Sequence, residues 1–197
     1  MHSLDPELPV SHSPVALPDS PYWRFYDAVA AAQLKQWLPA PAVDILDVSG
    51  DGPDRARMMR DAGHRVVRVG DGQIEGVRSV VADARSLQWL TDGCVDAIVA
   101  ESRALSMCLA AEETAHDLTR LLRPGGRLLL VVDSLVTGLA RLADQGLWAE
   151  LADVPSADVV LVPGADGTIT RCFSPEELHD LLESSGLEVE WVRPRPS

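Results

Sequence analysis

Residues 43–69, VDILDVSGDGPDRARMMRDAGHRVVRV, decide the fold. VDILDV (43–48) and HRVVRV (64–69) are short apolar runs of strand length, rich in β-branched residues. Between them PDRARMMRDAG reads as a helix with Gly63 where a C-cap glycine falls. The Gly50 and Gly52 turn joins the first strand to that helix. A strand, a helix and a second strand joined this way predict parallel neighbours.

The same alternation continues toward the C-terminus. VRSVVAD (77–83), CVDAIVAES (94–102) and RLLLVVD (127–133) read as further strands, and a helix over about 110–122 stops at RPGG. The seven residues GDGQIEG (70–76) are short for a crossover between parallel neighbours. The unbroken apolar run of RLLLVVD predicts a central strand buried on both faces. A helix is expected from about Leu135 to Leu151. DVVLVPG (158–164) and TITRCF (168–173), flanking Asp166-Gly167, predict an antiparallel hairpin. SPEELHDLLESSG (174–186) has Ser174 as N-cap, Pro175 at the first helical position, Glu177 as capping-box partner and Gly186 as stop. LEVEWV (187–192) follows as the last strand.

The first twenty residues, rich in Pro, Ser and His, predict a flexible tail (1–20) ahead of a single domain (21–197) that opens with the helix YWRFYDAVAAAQLKQWL. That helix is expected to pack on the domain or cap its site.

Of 197 residues, 46% are hydrophobic and 24% charged, a balance that supports one buried core. A net charge of −13 with Lys35 as the sole lysine argues against nucleic acid as a partner. No export or membrane signal is legible, so a cytoplasmic, bacterial-type location is expected. Cys94, Cys108 and Cys172 are isolated and odd in number, which predicts small core residues and neither a disulfide framework nor a metal site. His64, His116 and His179 read as surface or capping residues.

DILDVSGDGPDRARMMRDAGHRV resembles the first motif of class I S-adenosylmethionine-dependent methyltransferases. VVADARSLQWLTDGCVDAIVAESRAL is similar to that family's third and fourth strands, LTRLLRPGGRLLLVVDS to its segment before strand five, and FSPEELHDLLESSGLEVEWVRP to its final helix and strand. The resemblance spans roughly residues 40–193. It implies an α/β, Rossmann-like, doubly wound and mostly parallel sheet, with methyl transfer from S-adenosylmethionine to a small-molecule acceptor.

In open α/β sheets ligands lie outside the carboxyl ends of the strands, so the strand tips supply the candidates. The resemblance implies that Ser49, Gly50 and Gly52 bring backbone close to the cofactor and that Asp47 approaches its cationic end. Asp83 and the backbone of Ala84 would meet the adenine. Glu101 and Arg103, after strand four, would face the acceptor, with Glu101 as a general base. Tyr22 and Tyr26, with Trp23, would form an aromatic lid over the acceptor.

Two departures qualify this picture. The family's three glycines are Ser49, Asp51 and Pro53 here, and the acid that ends its strand two is replaced by Gly70, with Asp71 one residue late. Loss of a charge-assisted bond to a buried diol would weaken binding by about ten- to more than a hundredfold unless Asp71 swings in. A catalytically inactive binding module of the same fold is therefore the alternative. A nicotinamide oxidoreductase is disfavoured by the missing third glycine.

Overall fold

The computed structural model describes residues 20–49, 53–70, 72–101, 103–157, 159–164 and 166–195. The tail assigned to 1–20, all but Ser20, lies outside them, as do Gly50, Asp51, Gly52, Asp71 and Ser102.

Five strands, β1 (Asp44–Asp47), β2 (Arg65–Val69), β3 (Arg78–Val80), β4 (Val95–Ala100) and β5 (Leu122–Leu130), form a parallel sheet in the order β3-β2-β1-β4-β5. Alternation along β1 explains why helices cover both faces. Ile45 points into a cluster with Leu34 and Trp37 of α1 (Pro21–Trp37) and Met59 of α2 (Pro53–Asp61). Leu46 points the other way, into a cluster with Leu118 and Leu121 of α3 (Ala111–Leu121). Ile45, Leu46, Met59 and Leu118 are almost completely removed from solvent, and burying each such side chain contributes about 1.5–3 kcal/mol. This is the doubly wound α/β arrangement that the sequence predicts.

α2 ends as expected at Gly63, whose φ of +96° suits glycine, with His64 N–H returning to the Met59 carbonyl. The short connection 70–77 still joins parallel neighbours. Ile74 anchors it in the core and Arg60 Nη1 donates to the Glu75 carbonyl at 3.4 Å, so no crossover helix is needed.

A second, three-stranded sheet has the order β6-β8-β7, from β6 (Asp133–Ser134), β7 (Val160–Pro163) and β8 (Ile169–Phe173). β7 and β8 form the expected antiparallel hairpin, with Val162 opposite Thr170, and β6 runs parallel to β8. α4 (Leu135–Asp144) packs on this sheet so closely that a Cβ on Gly138 would lie 2.7 Å from Cys172 Sγ. α6 (Pro175–Ser184) starts at Ser174, whose hydroxyl accepts from the Glu177 N–H at 3.0 Å.

Several expectations need correction. RLLLVVD is not central: among the described residues β5 is an edge strand, paired with β4 alone. Its apolar run reports two covered faces, Leu128 and Leu130 on one side and Leu129 on the other, and carries no information about hydrogen-bonded edges. LEVEWV does not form a strand. Leu187 and Val189 pack on the α3–α6 cluster and Glu190 pairs with Arg127 at 2.7 Å, so the alternating pattern is satisfied without a ladder. The helix expected over 135–151 divides into α4 and α5 (Trp148–Asp153) at Gly146, φ +70°. Glu177 does not complete a capping box, because its carboxylate binds Arg171 Nη2 at 3.0 Å. His64 is a buried structural residue whose Nδ1 accepts from the Val43 N–H at 3.3 Å.

Candidate functional site at the carboxyl ends of the strands

Parallel pairing sends the carboxyl ends of β1, β2, β3 and β4 to one edge of the sheet. Asp47 ends β1 there, 1% exposed. Its Oδ1 accepts from the Ser49 N–H at 3.0 Å. Burial pushes its pKa above the ordinary carboxylate range, against the opposing influence of Ser49 and Arg68.

Ser49 couples two strand tips. Its hydroxyl donates to the Val99 carbonyl at 3.4 Å and accepts from the Glu101 N–H at 3.1 Å, which locks the end of β1 to the end of β4. A glycine at position 49 could not make this bridge. Serine here replaces backbone freedom with a fixed link.

Glu101, 4% exposed, does not pair with Arg103. Its Oε2 accepts from Arg55 Nε at 3.1 Å and its Oε1 from Arg195 Nη2 at 2.7 Å. Arg55 lies in the first turn of α2 and also reaches the Asp27 carbonyl of α1 at 3.3 Å. Arg195, close to the C-terminus, donates through Nε to Gln33 Oε1 at 3.1 Å and stacks over Tyr26 at 5.7 Å. One buried carboxylate thus gathers α1, α2, β4 and the C-terminal segment.

Three aromatic residues of α1, expected as a lid, lie along one cleft. Tyr22, Trp23 and Tyr26 form an edge-to-face series with centroids 5.2 and 5.6 Å apart. They line, with Glu101 and Arg103, a cleft of about 1820 Å³ that runs beside β5. They are not the core face of α1, which is formed by Ala30, Leu34 and Trp37.

The β2 and β3 ends are organised by arginines. Arg68 is buried, donates to the Gly72 carbonyl at 2.9 Å, and lies 3.4 Å from where a Cβ on Gly70 would stand. Asp83 is exposed, caps the Arg85 N–H at 2.9 Å and forms a two-point pair with the Arg85 guanidinium, which lowers its pKa. Ala84 follows in the same turn.

The structure therefore brings Asp47, Ser49 and Glu101 into one bonded group and places Tyr22, Tyr26 and Arg103 along the adjoining cleft. Asp83 and Ala84 belong to a separate turn after β3. Gly50, Gly52 and Asp71 lie outside the described residues. Sequence reasoning missed Arg55, Arg68 and Arg195. For Arg55 a signal existed, because a cation in the first turn opposes the helix dipole and needs a local carboxylate to justify it. No local pattern could pair residues 94 positions apart.

Residues 52–130 match the model of a methyltransferase domain. No curated protein matches the sequence significantly. Among solved structures, the chain is similar to the 1,6-didemethyltoxoflavin-N1-methyltransferase of Burkholderia thailandensis, with TM-score 0.58, 19% identity and coverage of 85% of this chain and 68% of that one. It is similar to an S-adenosylmethionine-dependent methyltransferase of Mesorhizobium loti, with TM-score 0.58, 17% identity and 82% of each chain covered. A Pyrococcus horikoshii protein aligns with TM-score 0.62, 16% identity and coverage of 84% and 82%. The chain has the class I methyltransferase fold, and its segment 52–130 is similar to a methyltransferase domain.

Proposed function

We propose that this protein transfers a methyl group from S-adenosylmethionine to a small-molecule acceptor. The observation that carries the reading is Asp47, a buried carboxylate with raised pKa at the tip of β1, a few residues before the matched segment 52–130. A buried acid that pays for its ionised form is stabilised by an arriving cation. The chemistry of this donor set fits a cofactor that carries a sulfonium and an ammonium group. Asp47 and Ser49 would hold its methionine end with Gly50 and Gly52, and Asp83, Ala84 and Asp71 the adenosine end. When bound, the cofactor supplies an electrophilic methyl group.

The chain's own contribution is positioning and exclusion of water. Tyr22, Trp23 and Tyr26 would cover the acceptor, and Arg103 would contact it. Both oxygens of Glu101 are engaged by guanidinium groups, so this side chain fixes the β4 tip, and an acceptor would reach it only once Arg195 moves aside. On this reading Glu101→Gln lowers the maximal rate while cofactor affinity holds. Unchanged turnover removes Glu101 from the mechanism.

One observation favours the second reading, a non-catalytic binding module. The Arg68 guanidinium lies against Gly70, where the resemblance puts a ribose-binding acid. Calorimetric titration with S-adenosylmethionine and S-adenosylhomocysteine separates the two. Saturable binding of both supports transfer, and no heat with either sinks it.

A further inference from the structure

We infer that Arg103 and Arg141 form a binding site for an acidic oxygen group, carboxylate or phosphate, on a small molecule; as the acceptor's recognition end it rests on the reading above. Arg103 Nη1 and Arg141 Nη1 both donate to Asp133 Oδ2, at 3.1 and 3.2 Å. Asp133 is only 7% exposed and its N–H donates to the Ser106 hydroxyl at 2.8 Å, so the carboxylate is fixed. One cation suffices to neutralise it. The second lies near Asp166 at the pocket rim, whose carboxylate interacts electrostatically with Arg103.

Each guanidinium spends one nitrogen on Asp133, and among the described residues the remaining N–H groups of both have no partner. Two guanidinium forks with free donors match the oxygens of a carboxylate or phosphate. A pocket of about 290 Å³ opens onto them, walled by Met107, Val162 and Pro163, a size that admits a small ring or short chain. Asp166 stands exposed at its rim, held by the Thr168 N–H and hydroxyl.

The backbone points the same way. Arg103 has φ +62°, the one positive value at a non-glycine residue among the described residues. A bulky side chain in that region is strained, and such strain persists where the surrounding structure holds a side chain in place for use. Arg103 also lines the large cleft with Glu101 and Tyr26, so a ligand held by its acid group would extend toward the strand tips.

Calorimetry of the full chain with benzoate, phenyl phosphate and neutral benzamide tests the site. Benzoate or phenyl phosphate is expected to bind at least tenfold more tightly than benzamide, the stronger of the two naming the acid. Arg103→Gln is expected to lose at least that factor for the acid while leaving benzamide unchanged. Asp133 keeps Arg141 in that variant, so folding is preserved, and circular dichroism verifies it. Equal binding of acid and amide, or wild-type acid binding by Arg103→Gln, overturns the inference. S-adenosylhomocysteine titrated into the same sample separates the two readings: acid binding without it keeps the anion site and overturns only methyl transfer, whereas S-adenosylhomocysteine binding without acid binding overturns only the anion site.

Discussion

Asp44 and Asp47 stand three residues apart on one strand and live in opposite electrostatic worlds. At the amino end of the sheet Asp44 accepts from Arg65 Nε at 2.6 Å and Arg123 Nη1 at 3.1 Å, with Asp96 sharing Arg123 at 2.9 Å. These groups are half exposed, and the hydrogen bond from Arg65 draws the pKa of Asp44 below its ordinary value. At the carboxyl end Asp47 is buried and its pKa is raised, while Glu101 beyond β4 is buried between two arginines. One end of the sheet places charges where water already stabilises them. The other buries charge at a cost, which a binding or catalytic end must justify.

The largest effect is expected at the buried end. Glu101→Ala leaves Arg55 and Arg195 without their carboxylate, and loss of one partner of a buried pair costs about 3–5 kcal/mol. Urea unfolding measures it, and a loss no greater than that of a surface substitution would show the pairs to be solvent-screened. At the amino end close packing outweighs charge. A Cβ on Gly126 would meet the Arg123 carbonyl at 2.9 Å and the Asp96 carbonyl at 3.0 Å, so Gly126→Ala should destabilise by about 1–3 kcal/mol.

Proton linkage sharpens the contrast. The depressed pKa values of Asp44 and Asp96 mean that their stabilisation is present above the ordinary carboxylate range and is lost as pH falls through the depressed values. The raised pKa of Asp47 acts in the opposite sense: the folded state holds its proton more tightly, so its contribution declines as pH rises through the raised value. If a cationic cofactor uses the ionised form, S-adenosylmethionine affinity should rise with pH over that same window, and Asp47→Asn should flatten the rise. A profile identical in wild type and variant would remove Asp47 from the site. The smallest effect is expected for Asp44→Asn, a shift in melting temperature typical of surface changes that vanishes in high salt.

The order of strands and helices was legible in residues 43–133 because local periodicity and end signals such as Gly63 and the RPGG stop act over one turn or one pleat. Ser174 as a cap and the 160–173 hairpin were legible for the same reason. The candidate site was read only in part: the position of Asp47 at the end of β1 followed from the chain order, whereas its buried state and the Ser49 bridge to β4 did not. In the sequence Glu101 reads as a general base or a surface partner of Arg103, because its actual partners Arg55 and Arg195 lie 46 and 94 positions away.

The sequence by itself determined that apolar faces alternate along each strand, and with them the parallel α/β layering. Only the tertiary structure decided that β5 stands at an edge, that 187–195 packs without a ladder, and that Arg195 reaches Glu101. Side-chain pattern records which faces are covered, since burial acts on each residue separately. Edges and long-range ion pairs are relations between distant segments, and no single stretch of chain encodes them.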